Sequence, residues 1–445
     1  MVSITMYGGV GEIGGNKTLV EDGKARIFLD MGQSFGFGDE FFAGYLMART
    51  GRVGLRDFFE LDLMPKIPGL YSKEMLDGTG FKYRKPMFDG IFLSHIHFDH
   101  CQHITFAHPD IPVHLGEGTK IIKDSWEATS GQKFGEHDYR TFRTGDRIDI
   151  NGIEVEPIHV DHSVPAAYGY IVHTKKGAVV YTGDFRQHGS HKKLTEDFLD
   201  RVKEERPIAL ICEGTRVAPE EKRKNYTEAQ VKSHSKQVVK KAGKKLVVTT
   251  FYPRDVDRIR TFYEVAKATG RKFVVSARTA HLLQSLGKDT GIKLPNVMKN
   301  KHILVFHREL AKAPPLWERD FEKKWIGSDE VHRRQGELIL QLDFWHFNEF
   351  VDIKPKRGSE FIHSKSEPFE EDDIEDEVKH NWLKRYGLHH HQYHASGHCS
   401  MPEIKSVIAD IDPKVVIPIH TEYPNLFKRM AKKVKLPVKG KKFTI

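Results

Sequence analysis

Four residues with metal-binding side chains fall within six positions of the sequence: His95, His97, Asp99 and His100. They follow residues 90–93, an apolar run that predicts a buried strand. His95 and His97 are two residues apart, so in an extended chain their imidazoles point to the same side and can bind one cation. Asp99 and His100 come where the chain turns into a helix, close enough to bind a second cation. The cluster predicts a metal site at the carboxyl end of a strand, where α/β proteins place their sites.

Two residues further along the chain extend this site. His162 lies in the segment Val-Asp-His-Ser-Val-Pro, and Asp184 lies in Tyr-Thr-Gly-Asp-Phe-Arg. Asp184 ends an apolar run after a glycine, where a carboxylate can bridge two cations. A single histidine or aspartate is more often an ordinary hydrogen-bonded residue. His162 and Asp184 therefore indicate a metal site only together with the first motif.

Length and composition limit the class of protein. A chain of 445 residues predicts two or three domains, and 39% hydrophobic residues exclude a wholly disordered chain. No apolar run approaches the ~20 residues of a membrane span, the N-terminus lacks a secretory pattern, and three cysteines are too few for a disulfide framework. We therefore expect a soluble, cytoplasmic protein without a membrane partner. The net charge of +9 is compatible with a polyanionic partner.

The pattern of apolar and polar residues changes along the chain. The first 215 or so residues contain short apolar runs separated by Gly, Asn and Asp, which predict strands and turns. Residues 36–86 form a long segment to which the sequence assigns no role. Further on, residues 245–251, 255–269 and 272–276 read as strand, helix and strand, which predicts a parallel βαβ unit.

The ordered motifs His-Ile-His-Phe-Asp-His, Val-Asp-His-Ser and Thr-Gly-Asp resemble those of the metallo-β-lactamase superfamily. This resemblance implies an α/β fold, an αββα sandwich with a hydrolytic site for two metal ions. Asp30, in Phe-Leu-Asp-Met-Gly, matches the structural aspartate of that fold.

Three later segments resemble the β-CASP nucleases within this superfamily. Glu213 lies in Ile-Cys-Glu-Gly-Thr, similar to motif A, and His398 lies in His-Ala-Ser-Gly-His-Cys-Ser, similar to motif B. His420 lies in Ile-Pro-Ile-His-Thr-Glu, similar to motif C, whose histidine completes the second metal site. His420 follows Asp184 by 236 positions, which leaves room for an inserted α/β β-CASP domain with a parallel sheet and flanking helices. We predict a metallo-β-lactamase domain of residues 1–215 and 386–445 and a β-CASP domain of residues 216–385.

Within the β-CASP proteins, the glycine-rich start at residues 8–16 is similar to ribonuclease J of a short, archaeal type without the extra C-terminal domain of the bacterial enzymes. We interpret these glycines as tight turns beside the site rather than as a nucleotide-binding loop. Two features depart from the pattern. Cys101 and Gln102 follow the first motif, and the Glu-Gly-Thr form of motif A is closer to the cleavage-factor branch.

The resemblance assigns roles to the site residues. His95, His97 and His162 would bind one cation, Asp99, His100 and His420 the other, and Asp184 would bridge them. This mixture of imidazole and carboxylate suits two divalent ions, Zn²⁺ in the first place and Mn²⁺ as the alternative. His398 would act on a phosphate oxygen or the leaving oxygen, and Glu213 would orient it.

A nuclease that starts at a 5′ end also needs a pocket for the terminal phosphate. Arg254 and Arg258, beside the predicted strand-to-helix turn, are candidates, as are Ser396 and the amides near Gly397. Surface ion pairing is an equally compatible interpretation of the two arginines.

The function predicted by the resemblance is a 5′-to-3′ exoribonuclease acting on single-stranded RNA with a 5′-monophosphate, with a homodimer as its expected assembly. Alternatives remain open: a β-CASP endonuclease of the cleavage-factor type, a DNA nuclease, a small-molecule metallo-hydrolase or a non-catalytic nucleic-acid-binding protein. The 236-position separation argues against the small-molecule hydrolase, and the filled ligand positions argue against the non-catalytic protein.

Overall fold

A computed structural model of the chain describes residues 1–221, 223–310, 312–366 and 374–445. These residues form three β-sheets with helices on their outer faces. The strands of the described residues are, in chain order, β1 (Val2–Gly8), β2 (Lys17–Asp22), β3 (Ala25–Leu29), β4 (Gly90–Leu93), β5 (Val113–Gly116), β6 (Tyr139–Phe142), β7 (Ile148–Ile150), β8 (Ile153–Val160), β9 (Ala167–Thr174), β10 (Gly177–Tyr181), β11 (Ala209–Glu213), β12 (Val247–Thr250), β13 (Lys272–Ser276), β14 (Ile303–Phe306), β15 (Trp325–Ile326), β16 (Leu338–Gln341), β17 (Glu360–His363), β18 (His389–Gln392), β19 (Val416–Ile419) and β20 (Phe443–Thr444).

The α-helices range from 4 to 14 residues in length. Those of the described ranges are α1 (Thr50–Val53), α2 (Arg56–Glu60), α3 (Phe98–Cys101), α4 (Glu117–Ser130), α5 (Lys192–Glu205), α6 (Glu228–Lys241), α7 (Val256–Ala268), α8 (Ala277–Leu286), α9 (Leu316–Arg319), α10 (Ser328–Arg333), α11 (Phe350–Ile353), α12 (Ile374–Tyr386) and α13 (Met401–Ile411). Thr227 and Gln230 form a capping box that fixes the start of α6, and Ser400 and Glu403 do the same for α13.

Two of the sheets form a sandwich. The first sheet has the order β20-β1-β2-β3-β4-β5-β6, and the second has the order β19-β11-β10-β9-β8-β7. Ile4 and Phe92 of the first sheet share a buried apolar cluster with Tyr170 and Val179 of the second. Helix α4 packs on the outside of the first sheet, and α5 and α13 pack on the outside of the second. The predicted αββα sandwich is therefore confirmed.

The third sheet is entirely parallel, with the order β15-β14-β13-β16-β12-β17-β18. Helices α7 and α8 cover one face, and α11 and α12 cover the other. This is the predicted α/β insertion with flanking helices. The predicted βαβ unit is parallel as expected, but β16 lies between β12 and β13. Strand β18 pairs with β17 beyond the expected boundary at residue 385, so we propose that the inserted unit extends to Gln392.

The long segment of residues 36–86, which the sequence left unassigned, packs against the outer side of the first sheet. Phe58, Phe59 and Tyr71 are buried there in one apolar cluster with Ile104 and Ile111. Phe58 and Phe59 are therefore core residues. Among the described helices, none combines the length and the apolarity of a membrane span.

Candidate metal centre

The candidate site residues meet at the carboxyl ends of strands in both sheets of the sandwich. The segment from His95 to His100 follows β4, and His162 follows β8 after one residue. Asp184 lies three residues after β10, while His420 directly follows β19. The loop after β4 and the single turn α3 bring all four residues of the first motif into the same space.

Three imidazoles form the first half of the centre. His97 Nδ1 lies 3.0 Å from His95 Nε2 and 3.1 Å from His162 Nε2. Burial lowers the pKa of His97 to about 3 and holds the pKa values of the other two well below the ordinary histidine value. All three are therefore neutral at pH 7, which is the form of histidine that binds a metal.

The second half combines Asp99, His100, Asp184 and His420, whose four ligand atoms lie within 4.8 Å of one another. His420 Nε2 is 2.9 Å from Asp99 Oδ2. Burial lowers the pKa of His100 and His420, but the neighbouring carboxylates, Asp184 foremost, outweigh it and raise both pKa values above normal. A cation bound here would take the place of these protons.

Asp184 stands between the two halves. Its Oδ2 lies 3.0 Å from His100 Nε2, 3.7 Å from His95 Nε2 and 4.0 Å from His162 Nε2. Burial alone would raise its pKa, but the surrounding histidines hold it well below the usual aspartate range. The carboxylate is buried, and neither oxygen accepts a hydrogen bond in the described structure. A buried, ionised carboxylate surrounded by imidazoles fits two divalent cations with Asp184 between them.

Asp30 orients His100 from behind. Its Oδ2 lies 2.7 Å from His100 Nδ1 and accepts hydrogen bonds from Ser94 Oγ and Tyr181 Oη. A carboxylate on the far ring nitrogen fixes the tautomer of a ligand histidine. Asp30 and His420 both have left-handed backbone (φ 61° and 55°), which non-glycine residues adopt mainly where the surrounding structure imposes it.

Gly397 orients His162. The His162 Nδ1–H donates to the Gly397 carbonyl oxygen at 2.6 Å, which leaves Nε2 facing the centre. A side chain at position 397 would place its Cβ 2.7 Å from His162 Cε1, so only glycine fits. The sequence predicted that backbone amides near Gly397 bind phosphate. In the structure, the Gly397 carbonyl oxygen accepts a hydrogen bond from the candidate ligand His162.

Glu213 and His398 form a pair beside the two halves, as the sequence predicted. His398 Nδ1 lies 3.2 Å from Glu213 Oε1 and 3.8 Å from Asp184 Oδ2. Thr215 extends the pair, because its hydroxyl lies 2.8 Å from Glu213 Oε2 and 2.8 Å from His420 Nδ1. The threonine was visible in the sequence only as a departure from the usual motif A.

Two glycines allow the first motif to approach the N-terminal segment. A Cβ on Gly32 would lie 1.6 Å from the carbonyl oxygen of Asp99, and one on Gly14 would lie 2.8 Å from the Asp99 Cβ. Gly14 also has a positive φ of 79°. These contacts support the interpretation of the early glycines as tight turns beside the site.

The two predicted phosphate-binding arginines have different positions. Arg254 lines the cavity at the metal centre, where its Nη1 donates to the Ile96 carbonyl oxygen at 2.7 Å and its guanidinium lies 4.4 Å from the Trp126 ring centroid. Arg258 does not line this cavity. It is fully buried, and its Nη2 contacts Glu228 at 3.1 Å and the Ala395 carbonyl oxygen at 3.2 Å. Its predicted direct contact with phosphate is wrong for this structure, because its guanidinium faces the packed boundary between the units.

Arg186, two residues after Asp184, was not singled out from the sequence. Its fully buried guanidinium binds Asp161 Oδ1 at 3.2 Å, Glu228 Oε1 at 3.0 Å and Asp257 Oδ2 at 2.6 Å. It also donates to the Ser396 carbonyl oxygen at 3.3 Å. One side chain thus joins the segments that carry His162 and His398 to the first turns of α6 and α7.

Another cluster of acids and histidine differs from the metal centre. Glu156, His173 and Glu205 lie close together, but Arg201 donates to both oxygens of Glu156 at 2.9 Å. Arg201 Nη2 also lies 2.5 Å from Glu205 Oε1. The arginine already neutralises these carboxylates, so this cluster does not have the character of a cation site.

A cavity of about 120 Å³ opens over the metal centre. Phe35 and Tyr252 line it with 45% and 44% of their surfaces exposed, and Ser396 and His398 line it as well. Five of its lining residues also border a small neighbouring basic pocket, namely Arg216, Arg223, Ser366, His394 and Ser396.

Two family models match separate parts of the chain. Residues 79–250 match the "Beta-lactamase superfamily domain", and residues 388–439 match the "Zn-dependent metallo-hydrolase RNA specificity domain". The two matched segments contain, in order, the first motif with His162 and Asp184, and the segment with His398 and His420.

Several curated proteins are similar over most of the chain. Ribonuclease J of Sinorhizobium meliloti is 25% identical over 84% of this chain, and ribonuclease J of Pyrococcus abyssi is 25% identical over 95%. The chain covers 90% of the Pyrococcus protein, 66% of the Sinorhizobium protein and 56% of ribonuclease J of Helicobacter pylori, which is 24% identical over 95% of this chain. A solved structure of an Enterococcus faecalis protein of unknown function superposes over 100% of both chains with a TM-score of 0.81 at 22% identity, which shows a shared fold.

Proposed function

The chain belongs to the metallo-β-lactamase superfamily, and from this premise we propose that it is a metal-dependent ribonuclease. The observation that carries the proposal is Asp184, a buried and ionised carboxylate without a hydrogen bond between two groups of candidate ligands. The match to an RNA specificity domain and the similarity to proteins named ribonuclease J support RNA as the substrate.

The cavity has features that suit single-stranded RNA. Phe35 and Tyr252 present exposed aromatic rings at the centre, on which unpaired bases can stack. Arg254 adds a fixed positive charge to the same wall. Stacking combined with positive charge is the usual recognition of a single strand, which supports RNA over a small-molecule substrate.

We propose 5′-to-3′ exonuclease action that starts from a 5′-monophosphate. The basic pocket beside the centre contains Arg216, Arg223 and Lys224 and shares Ser396 with the main cavity. Both arginines contact Glu221, which holds them in place. A small basic pocket next to the proposed metal centre suits the binding of a terminal phosphate.

The residues of the chain would share the chemistry as follows. His95, His97 and His162 would hold one cation, Asp99, His100 and His420 the other, and Asp184 would contact both. Once bound, the cations would supply an activated water and neutralise charge on the phosphate. We propose Zn²⁺ for both positions, with Mn²⁺ as the alternative.

His398 and Glu213 would assist the cleavage without binding the cations. Glu213 accepts a hydrogen bond from His398 Nδ1–H and orients the ring, which lines the cavity. The ring would donate to a phosphate oxygen or protonate the leaving 3′-oxygen. The other product then carries a 5′-phosphate.

End-labelled RNA tests the proposal directly. Oligonucleotides labelled at the 5′ end and carrying a monophosphate should release labelled mononucleotides, and the same sequences with a triphosphate should react much more slowly. Internal fragments from both substrates would show an endonuclease instead. Hydrolysis of small esters without action on RNA would contradict the proposal.

Two further expectations belong with this function. A cytoplasmic location agrees with the three buried cysteines, Cys101, Cys212 and Cys399, none of which is paired. Assembly as a homodimer stays a prediction that sedimentation analysis can test.

A further inference from the structure

A second, larger cavity lies on the far side of the segment that carries His162. It has a volume of about 630 Å³, within the ~300–1,000 Å³ typical of small-molecule sites. One wall is formed by residues 159–166 and the start of α5, and the other by the start of α7 and residues 291–293. We call it the α5–α7 cavity. It lies between the sandwich and the inserted unit.

Positively charged side chains surround this cavity: Lys193, Arg260 and Lys293, with His191 beside them. Arg260 Nη1 lies 3.1 Å from His191 Nε2 and 3.3 Å from Asp257 Oδ1. Lys193 is 70% exposed and pairs with Asp197 at 2.7 Å. Lys293 is exposed and makes no ion pair with any residue that the structure describes.

The lining also contains two acids, Asp161 and Asp257, and both contact the buried Arg186. Arg186 binds Asp161 Oδ1 at 3.2 Å and Asp257 Oδ2 at 2.6 Å from outside the cavity. The three cationic side chains of the lining outnumber these two carboxylates, so the cavity favours an anion.

The remaining wall is apolar. Val164 and Ala166 are buried, and Pro165, Leu194 and Ile292 contribute partly exposed surface. An apolar wall with a few cationic groups suits an organic anion that has a flat or apolar part, rather than inorganic phosphate alone.

Ser163 connects this cavity to the metal centre. It lines both cavities, and its neighbour His162 is a candidate metal ligand. A molecule in the α5–α7 cavity therefore touches the segment that positions His162. The proposed reaction releases a nucleoside 5′-monophosphate on the other side of the same segment.

We propose that the α5–α7 cavity binds a nucleoside 5′-monophosphate and that its occupancy slows turnover through the segment carrying His162. The identity of the nucleotide rests on the proposed ribonuclease function. The phosphate contacts Lys293, Arg260 and Lys193, and the nucleoside packs on the apolar wall. The product of the reaction thereby acts as its effector.

Binding of uridine 5′-monophosphate to the full-length, metal-loaded protein tests this site. Isothermal titration calorimetry should show two binding sites per chain, one at the metal centre and one in the α5–α7 cavity. Lys293→Glu should weaken the second site at least tenfold and leave turnover without added nucleotide unchanged. Lys299→Glu is the matched control: this exposed lysine, six residues on, does not line the cavity, so both sites should persist.

Inhibition kinetics provide the second readout. Uridine 5′-monophosphate should inhibit RNA hydrolysis with a non-competitive component, and Lys293→Glu should remove that component alone. The proposal is overturned if Lys293→Glu and Arg260→Gln both keep two sites. It is also overturned if Lys293→Glu weakens single-stranded RNA binding as much as nucleotide binding, because the cavity is then part of the RNA path.

A failure of the ribonuclease proposal would look different. A protein that does not cleave RNA, yet binds the nucleotide in a manner sensitive to Lys293→Glu and not to Lys299→Glu, supports the cavity as a nucleotide site. That result would contradict only the proposed ribonuclease activity.

Discussion

The Thr215 hydroxyl lies 2.8 Å from His420 Nδ1. The same oxygen lies 2.8 Å from Glu213 Oε2, while Glu213 Oε1 faces His398. Threonine can donate to the carboxylate and accept from His420 Nδ1–H, so Nε2 is the ring nitrogen that would bind a cation on the side of Asp99. A candidate ligand and a candidate catalytic histidine are therefore oriented by one chain of hydrogen bonds.

Thr215→Val should weaken the half of the centre that contains His420. The valine keeps the shape but removes the hydroxyl, so His420 loses the partner that fixes its tautomer. We expect a loss of about 10–100-fold in metal affinity or turnover, the scale for losing such a partner. Thr215→Ser keeps the hydroxyl and should retain most of both. Equal values for Val and Ser in metal titrations would show that the hydrogen bond has no role.

His398→Ala and His420→Ala should differ in metal content. His398 also forms a group with Asp184 and Glu213, but we propose that it acts on the phosphate, so its removal should leave two cations bound while turnover falls by ~10²–10⁴. His420→Ala should lose one cation together with activity. Elemental analysis of both purified variants distinguishes them. Loss of a cation in His398→Ala would assign that histidine to the metal instead.

Asp184→Ala should abolish hydrolysis and reduce the metal content. Five imidazole nitrogens lie within 4.0 Å of its Oδ2. Without the carboxylate, the positive charge of the bound cations would be left uncompensated. Glu205→Gln, in the acidic cluster neutralised by Arg201, is the control and should leave metal content unchanged. Retention of more than a few per cent of activity in Asp184→Ala would mean that the bridge is assigned to the wrong residue.

Glu403 should make a pH-dependent contribution to folding. Burial raises its pKa, but the hydrogen bonds from His188 and Ser400 outweigh this and lower it to about 2, from 4.5 for a free side chain. Because the folded-state pKa is depressed, the stabilisation is complete above pH 4.5 and is lost as the pH falls toward 2.

Glu403→Gln should therefore destabilise the fold at pH 7 by about 1 kcal/mol, the scale of replacing a charged hydrogen-bond acceptor with a neutral one. Thermal unfolding of both proteins between pH 7 and pH 3 measures the difference, which should shrink in the acid range. Glu309→Gln, at an exposed position, should have no effect at any of these pH values. A difference for Glu403→Gln that is independent of pH would refute the ionic origin of the stabilisation.

The resemblance of the ordered motifs to the metallo-β-lactamase superfamily predicted the fold class and the meeting of the site residues, and local patterns predicted single strands. The apolar run of residues 90–93 and the strand at 272–276 appear as predicted, since each is buried on both sides. The dense spacing from His95 to His100 needs only a loop and one helical turn to bring the side chains together. Such short-range features are contained in the residues themselves.

Long-range partners could not be predicted in this way. The position of β16 between β12 and β13 depends on strands far apart in the chain, as does the burial of Arg258 against Ala395. From the sequence, an arginine beside a strand-to-helix turn looks the same whether its partner is a phosphate or a carboxylate such as Glu228. Only the packing between the units decides this.

The guanidinium of Arg186 limits how freely the two units can be recombined. A chimera that kept this sandwich and received another inserted unit would have to supply carboxylates in place of Glu228 and Asp257. Without them the buried guanidinium, two residues from Asp184, would lose two of its three carboxylate partners, which would destabilise the fold. The insertion is thus not an interchangeable module, and a change in its specificity has to be made on its surface while these first helical turns are preserved.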